Sequence, residues 1–270
     1  MPDWRPLIVR RKDGYPRIMG VINITPDSFF EDSRSNNISE TIKIAESMIQ
    51  NGADWLDVGG ESTRPGAEPV EEEEEISRVV PVIRELRGKF PEIGISVDTR
   101  RSKVAKLSLE EGADMINDIS ALSDENMINV IKQSDCYICL MHMKGLPENM
   151  QDNPQYDDVV AEVRNRLNEK VSLLIREGID RKRIIVDPGI GFGKSLEHNL
   201  LLLKSGRKII PMSNVRLMWG VSRKSMFSEL LGRIETRSVG PKRGTDGKFA
   251  KSGSATWVQG LWVRYRRIFA

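Results

Sequence analysis

The chain has 270 residues, enough for one large domain with a generous core. Apolar residues make up 39% and charged residues 30%, a soluble globular balance. No apolar run reaches the roughly 18 residues a membrane span needs, so no span is expected. The net charge of +2 is unevenly spread: residues 233–270 carry nine Lys/Arg against two Asp/Glu, and residues 1–232 carry 32 against 37. Body and tail are different kinds of sequence.

The opening Met1-Pro2-Asp3-Trp4-Arg5 has no long apolar segment after it. It does not read as a secretory signal, and a cytoplasmic location is expected. The strong turn dipeptide Asp13-Gly14 predicts a hairpin between 7–12 and 15–18. The chain then alternates. Strand-like runs occupy 17–22, 54–58, 93–97, 114–117, 136–141, 183–186 and 215–220. Helix-like stretches lie near 38–51, 71–88, 101–111, 124–133, 157–177, 196–205 and 224–231. Each strand run is rich in Ile, Val, Leu or Met rather than alternating with polar residues, which suits parallel strands covered on both faces. Gly52-Ala53-Asp54 and Gly112-Ala113-Asp114, with the similar Gly178-Ile179-Asp180, read as helix stops just before a strand. Seven βα units argue for an α/β fold, a (β/α)8 TIM barrel whose eighth unit is missing or replaced.

The cysteines, Cys136 and Cys139, sit in one strand-like run, where a spacing of three places them on opposite faces. Two buried reduced thiols are expected rather than a redox or zinc pair. With only two histidines, a His-rich metal site is excluded.

Polar motifs cluster at the strand ends, the edge where such sheets bind ligands. Strand one runs into Asn23-Ile24-Thr25-Pro26-Asp27-Ser28-Phe29, and the Asn23 amide oxygen suits a hard cation or simply a turn. Strand two ends in Asp57-Val58-Gly59-Gly60-Glu61-Ser62-Thr63-Arg64-Pro65-Gly66, whose backbone N–H groups, hydroxyls and guanidinium suit an anion. Asp98, Asn117 and Asp187 follow on strands three, four and six. Together they form a comb that matches a planar NH-rich heterocycle, with a magnesium site as the rival reading. Single strand-end aspartates are often helix caps, but three strand ends agree here.

His142, after strand five, either lines the pocket or simply packs, and His198 has no assigned role. Lys224, in Ser222-Arg223-Lys224-Ser225, opposes the dipole of the helix it starts. It suits holding an anion, bonding a ring carbonyl or forming a Schiff base. Five consecutive carboxylates, Glu71 to Glu75, read as a solvated helix start. Asp187-Pro188-Gly189-Ile190-Gly191-Phe192-Gly193-Lys194 is a Gly-rich turn, but no suitably placed acidic residue follows to make it a dinucleotide fingerprint.

These motifs together, from Met19-Gly20-Val21 through Ser222-Arg223-Lys224, resemble the dihydropteroate synthase family of pterin-binding enzymes over roughly 15–232. The resemblance implies a TIM barrel, usually a homodimer, that condenses 6-hydroxymethyl-7,8-dihydropterin diphosphate with p-aminobenzoate in folate synthesis and is inhibited by sulfonamides. It also implies Mg2+, touched by Asn23. Asp98, Asn117, Asp187 and Lys224 would hold the pterin, with Met141 and Phe192 packed near its ring. Thr63 would contact the diphosphate. Phe29, Arg64, Pro65 and Ser222 would build the p-aminobenzoate pocket. Asp98, Arg64 and Lys224 are the catalytic candidates. A pterin-dependent methyltransferase is the rival enzyme, disfavoured by Arg64-Pro65 and the Ser222-to-Ser225 motif.

The tail departs from the family, which closes with a strand carrying Arg-x-His; no histidine follows His198 here. Residues 1–232 are therefore expected to form the pterin-binding barrel domain and 233–270 a poorly ordered basic tail. Within that tail, 257–266 reads either as a strand or as an exposed segment. A missing eighth strand would leave two sheet edges unpaired, so instability or weak turnover is expected, with a pterin-binding protein lacking turnover as the non-enzymatic alternative. No nucleic-acid or membrane partner is expected, because the basic tail lacks a binding fold.

Overall fold

The computed structural model describes residues 16–24, 34–61, 70–145, 150, 154–222, 224, 226 and 264–269. Strand β1 (Arg17–Asn23) is followed by helix α1 (Arg34–Gln50), β2 (Trp55–Gly59), α2 (Glu72–Lys89), β3 (Gly94–Asp98) and α3 (Ser102–Glu110). Next come β4 (Met115–Asp118), α4 (Met127–Lys132), β5 (Tyr137–Met141), α5 (Val159–Arg176), β6 (Ile184–Asp187), α6 (Leu196–Ser205), β7 (Arg216–Trp219) and β8 (Arg264–Phe269). The expected hairpin before β1 and most of the helix expected after β7 lie outside the described residues.

The strands close into a barrel in sequence order. β1 to β7 run parallel, as their apolar composition requires when helices cover the outside. β8 takes the eighth place antiparallel to both neighbours, β7 and β1. The eighth strand position is thus filled, and the two edges expected to stand open are paired. The 257–266 stretch, left open between strand and exposed segment, is strand from Arg264 onward.

Helix termini follow local chemistry. The Asp158 side chain accepts from the Val160 and Ala161 N–H groups to start α5, and Ser195 caps α6. Gly52, Gly112 and Gly178 follow α1, α3 and α5 with φ near +90° to +100°, the left-handed stop their recurrence predicts.

The core has two main parts. One lies between the barrel and its helices; the other fills the barrel floor with Met19, Trp55, Met115, Cys139, Ile185 and Met218. Cys136 belongs to the first and Cys139 to the second, and both are free buried thiols. Trp55 is fully buried and lies against Gly94, where a Cβ would strike the indole ring. Bare backbone at 94 is what lets a tryptophan plug the barrel. Gly94→Ala is expected to cost about 1–3 kcal/mol through overpacking, read as a lower denaturant midpoint. An unchanged midpoint would mean the floor is loosely packed.

Candidate active site

The pleat that points Met19, Trp55, Met115, Cys139 and Ile185 into the barrel also points every second residue after them inward. These residues are Val21, Asn23, Asp57, Gly59, Asn117, Met141 and Asp187, and Asp98 holds the matching place on β3. Backbone register places Asn23, Gly59, Asp98 and Asn117 in one rung, each the Cα partner of the next. Met141 and Asp187 pair in the same way farther round. Gly59 leaves a gap in the rung: a Cβ there would stand 3.3 Å from Asp98 Cβ and 3.8 Å from Asn23 Oδ1. Asn23 is exposed, Asp98 half-buried, and Asn117 and Asp187 are buried.

Asn117 Nδ2 donates to Asp57 Oδ2 at 3.0 Å, while Asn117 Oδ1 is buried and accepts no hydrogen bond from the protein. Asp187 Oδ1 accepts from the Gly189 N–H at 2.8 Å, which anchors the start of the Gly-rich turn. Gly189, Gly191 and Gly193 have φ of +68°, +76° and +59°. A Cβ at Gly189 or Gly193 would strike the carbonyl oxygen of His142 or Lys144, so the turn lies directly on the exit of β5.

Lys194 ties this turn down from beneath. Its Nζ lies 2.8 Å from the Phe192 carbonyl oxygen, 3.1 Å from that of Gly189, 3.3 Å from that of His142 and 3.1 Å from His142 Nδ1. With the lysine donating, the imidazole proton is assigned to Nε2. Burial, opposed by the nearby Asp187 charge, brings the Lys194 ammonium down to about 7. Burial, reinforced by the Lys194 charge, brings His142 down to about 3. His142 is therefore a packed, neutral histidine. His198 is a structural one: its backbone N–H donates to Ser195 Oγ and its Nδ1 accepts from the Ser195 N–H, a capping box at the start of α6.

On top of the turn, Lys224 Nζ stands 4.0 Å from the centroid of the Phe192 ring, a cation–π distance, and its side chain runs against Gly191. Phe192 and Met141 belong to one small apolar cluster with Ile119 and Met150. The mouth thus holds apolar surface at Met141 and Phe192, a cation at Lys224 and acceptors at Asp98, Asn117 and Asp187.

A second polar network flanks the segment between Glu61 and Val70. Arg101 donates to Glu75, to Glu61 and to the Val70 carbonyl, and Arg100 pairs with Glu61. Arg78 donates to the Gly60 carbonyl at 2.9 Å. Glu75 is buried, and desolvation raises its carboxyl above the ordinary value. The reading of Glu71 to Glu75 as a solvated run therefore needs correction at its last member, which lies on the buried side of α2.

The chain matches the family model described as "Pterin binding enzyme" over residues 19–247. It is 45% identical over 228 residues to dihydropteroate synthase of Neisseria meningitidis serogroup C, covering 83% of this chain and 80% of that one. Among solved structures it superposes on Yersinia pestis dihydropteroate synthase with a sulfonamide drug, at a TM-score of 0.74 and 39% identity over 81% of this chain and 78% of the other. The Xanthomonas albilineans enzyme in complex with 7,8-dihydropteroate matches at a TM-score of 0.70 and 36% identity, over 82% and 78%. The chain belongs to the dihydropteroate synthase family. It is a transferase by family, and among the described residues no helix is long and apolar enough to cross a membrane.

The site residues expected from sequence divide into those the structure brings together and those outside it. Asn23, Asp98, Asn117, Met141, Asp187, Phe192 and Lys224 gather at the carboxyl end of the barrel, and Ser222 lies half-buried on the segment leading to Lys224. Phe29, Thr63, Arg64 and Pro65 lie outside the described residues. Sequence reasoning assigned no role to Lys194, Asp57 or Glu75. The only signal for Lys194 was its place closing the Gly-rich motif, and Asp57 stood inside an apolar strand.

The neutral state of His142 sets a pH dependence. The unfolded imidazole takes up a proton below about 6.5 that the folded one refuses until about pH 3, so this residue makes stability fall as pH drops through that window. Its contribution approaches about 1.4 kcal/mol per pH unit there. His142→Gln keeps an acceptor for Lys194 and is expected to flatten the fall in urea midpoint between roughly pH 6 and 4 relative to the parent chain. Parallel curves for the two proteins would contradict the assignment.

Proposed function

We propose that this chain is a dihydropteroate synthase that joins 6-hydroxymethyl-7,8-dihydropterin diphosphate to p-aminobenzoate, releasing diphosphate. The observation that carries the reading is the row of acceptors at the mouth. Asp98, the Asn117 oxygen and Asp187 offer acceptors beside an apolar wall, as the NH-rich edge and flat face of a pterin require. In this reading Lys224 donates to the ring carbonyl, and Met141 and Phe192 pack near the ring.

The step that fits is dissociative. The bond between the pterin methylene and the diphosphate oxygen breaks, and its electron pair leaves with diphosphate. The aniline nitrogen then attacks the methylene and loses a proton. Acceptors held in place before reaction stabilise the positive charge that develops on the pterin, a role assigned here to Asp98. Arg64, Pro65, Phe29 and Ser222 would hold p-aminobenzoate, and Thr63 the diphosphate.

Magnesium fits this site as a partner of substrate rather than as a caged ion. Among the described residues no group of three or more His, Cys, Asp or Glu is placed to hold a metal. Asn23 offers an exposed amide oxygen at the rung's end, and magnesium is commonly held by one or two protein oxygens together with phosphate. When bound, it would neutralise charge on the leaving diphosphate.

The proposal also divides the chain into a pterin-binding barrel domain over 1–232 and a basic tail over 233–270, from which β8 enters the barrel. A second reading, pterin binding with impaired turnover, is favoured by β8 itself, which brings no histidine to the barrel and runs opposite to its neighbours.

Dihydropteroate and diphosphate released from the pterin diphosphate, magnesium and p-aminobenzoate test the synthase. Asp98→Asn is expected to lower kcat on the order of 100-fold with the fold retained, and a wild-type kcat would remove Asp98 from the chemistry. Deleting residues 257–270 should expose the edges of β1 and β7 and lower the melting temperature by roughly 5 °C or more. Unchanged melting would show that β8 contributes nothing to closure.

A further inference from the structure

We propose that Asp57 is a positioning residue for pterin recognition: it orients the Asn117 amide so that its oxygen, and not its nitrogen, is offered to the ligand. This rests on the pterin reading of the mouth.

Asp57 is fully buried on the interior pleat of β2, between the Trp55 plug and the gap at Gly59. The mechanism gives it no task, although burying a carboxylate is costly unless its bonds are made. Its Oδ2 accepts from Asn117 Nδ2 at 3.0 Å, across strands whose sequence separation is 60 residues. A carboxylate oxygen accepts and does not donate, so an amide resting on it must turn its NH2 toward it. The amide is planar, and its other corner, Oδ1, is then fixed as an acceptor. That oxygen is buried with no protein donor, an arrangement native structures seldom leave unexplained. A bound N–H would complete it.

The neighbours explain why the choice matters. Asp98 pairs with Asn117 in the backbone register, and Asp187 stands farther round the same mouth. Both offer acceptors. A ring edge that presents N–H groups to all three is satisfied only if Asn117 also accepts. With the amide turned over, NH2 would meet N–H, and the bond to Asp57 would be lost. The carboxylate beneath the rung thus selects a donor-edged heterocycle without touching it.

The test is a double-mutant cycle read by calorimetric titration of 6-hydroxymethyl-7,8-dihydropterin diphosphate in the absence of p-aminobenzoate. Asp57→Ala is expected to weaken binding about tenfold or more, as is Asn117→Ala. Asp57→Asn, which fills the same space but can accept or donate, should fall between the parent and Asp57→Ala and remains informative if the alanine variant does not fold. Adding Asp57→Ala to Asn117→Ala should cost less than about twofold more, because the carboxylate acts through the amide. The KM for p-aminobenzoate should stay within about twofold for Asp57→Asn. A purely structural Asp57 would instead give additive losses or a raised p-aminobenzoate KM, and either result overturns the proposal. Parent protein that binds tightly while both Asp57 variants match it also overturns the role. Failure of the parent chain to bind the pterin diphosphate overturns the pterin reading together with this role.

Discussion

Strand pleating inside a closed barrel governs this molecule. Each strand lends only alternate residues to the interior, and the same alternation that sinks Met19, Trp55, Met115, Cys139 and Ile185 into the floor delivers Asn23, Asp57, Asn117, Met141 and Asp187 above it. Stability and chemistry therefore share a register. A slip of one residue in any strand would move an apolar plug outward and a polar side chain away from the mouth together. Trp55 shows how tightly this is built: its ring occupies the space beside Gly94, on the strand that also ends in Asp98.

Above that frame, positioning is done by groups that do not meet the substrate in the proposed mechanism. Lys194 holds three carbonyls and an imidazole in one buried knot, and so sets the turn that supports Phe192 and Lys224. The three glycines make such a turn affordable, since side chains at 189 and 193 would collide with the chain leaving β5. Arg78, Arg101, Glu61 and Glu75 fix the backbone on either side of the segment that carries Thr63, Arg64 and Pro65.

Much of this was legible in the sequence because strands and turns carry local signatures. The seven parallel strands lie within a residue or two of where apolar runs placed them, and Asp98, Asn117 and Asp187 sit at the strand ends where their motifs put them. The family resemblance covers the same span. What escaped was whatever depends on a partner distant in the chain. Asp57 gains its meaning from Asn117, 60 residues away, and Lys194 from His142, 52 residues away. Glu75 looked like its four acidic neighbours because helical periodicity, not composition, turns it inward toward Arg101. The direction of β8 had no local signature, since a strand of either polarity has the same composition.

That direction has a consequence for how the barrel could be altered. Closing a sheet requires only a backbone with free donors and acceptors, which a chain running either way supplies. Delivering a side chain to the mouth from a strand's carboxyl end requires the strand to travel upward with its seven companions. β8 meets the first requirement and inverts the second: Arg264 is level with Val21, and Ile268 with Arg17, so its last residues descend to the rim opposite the mouth. Architecture and chemistry, inseparable in the first seven strands, come apart in the eighth. A strand of opposite direction is stitched into this wall, and the mouth is left to the carboxyl ends of the other seven strands.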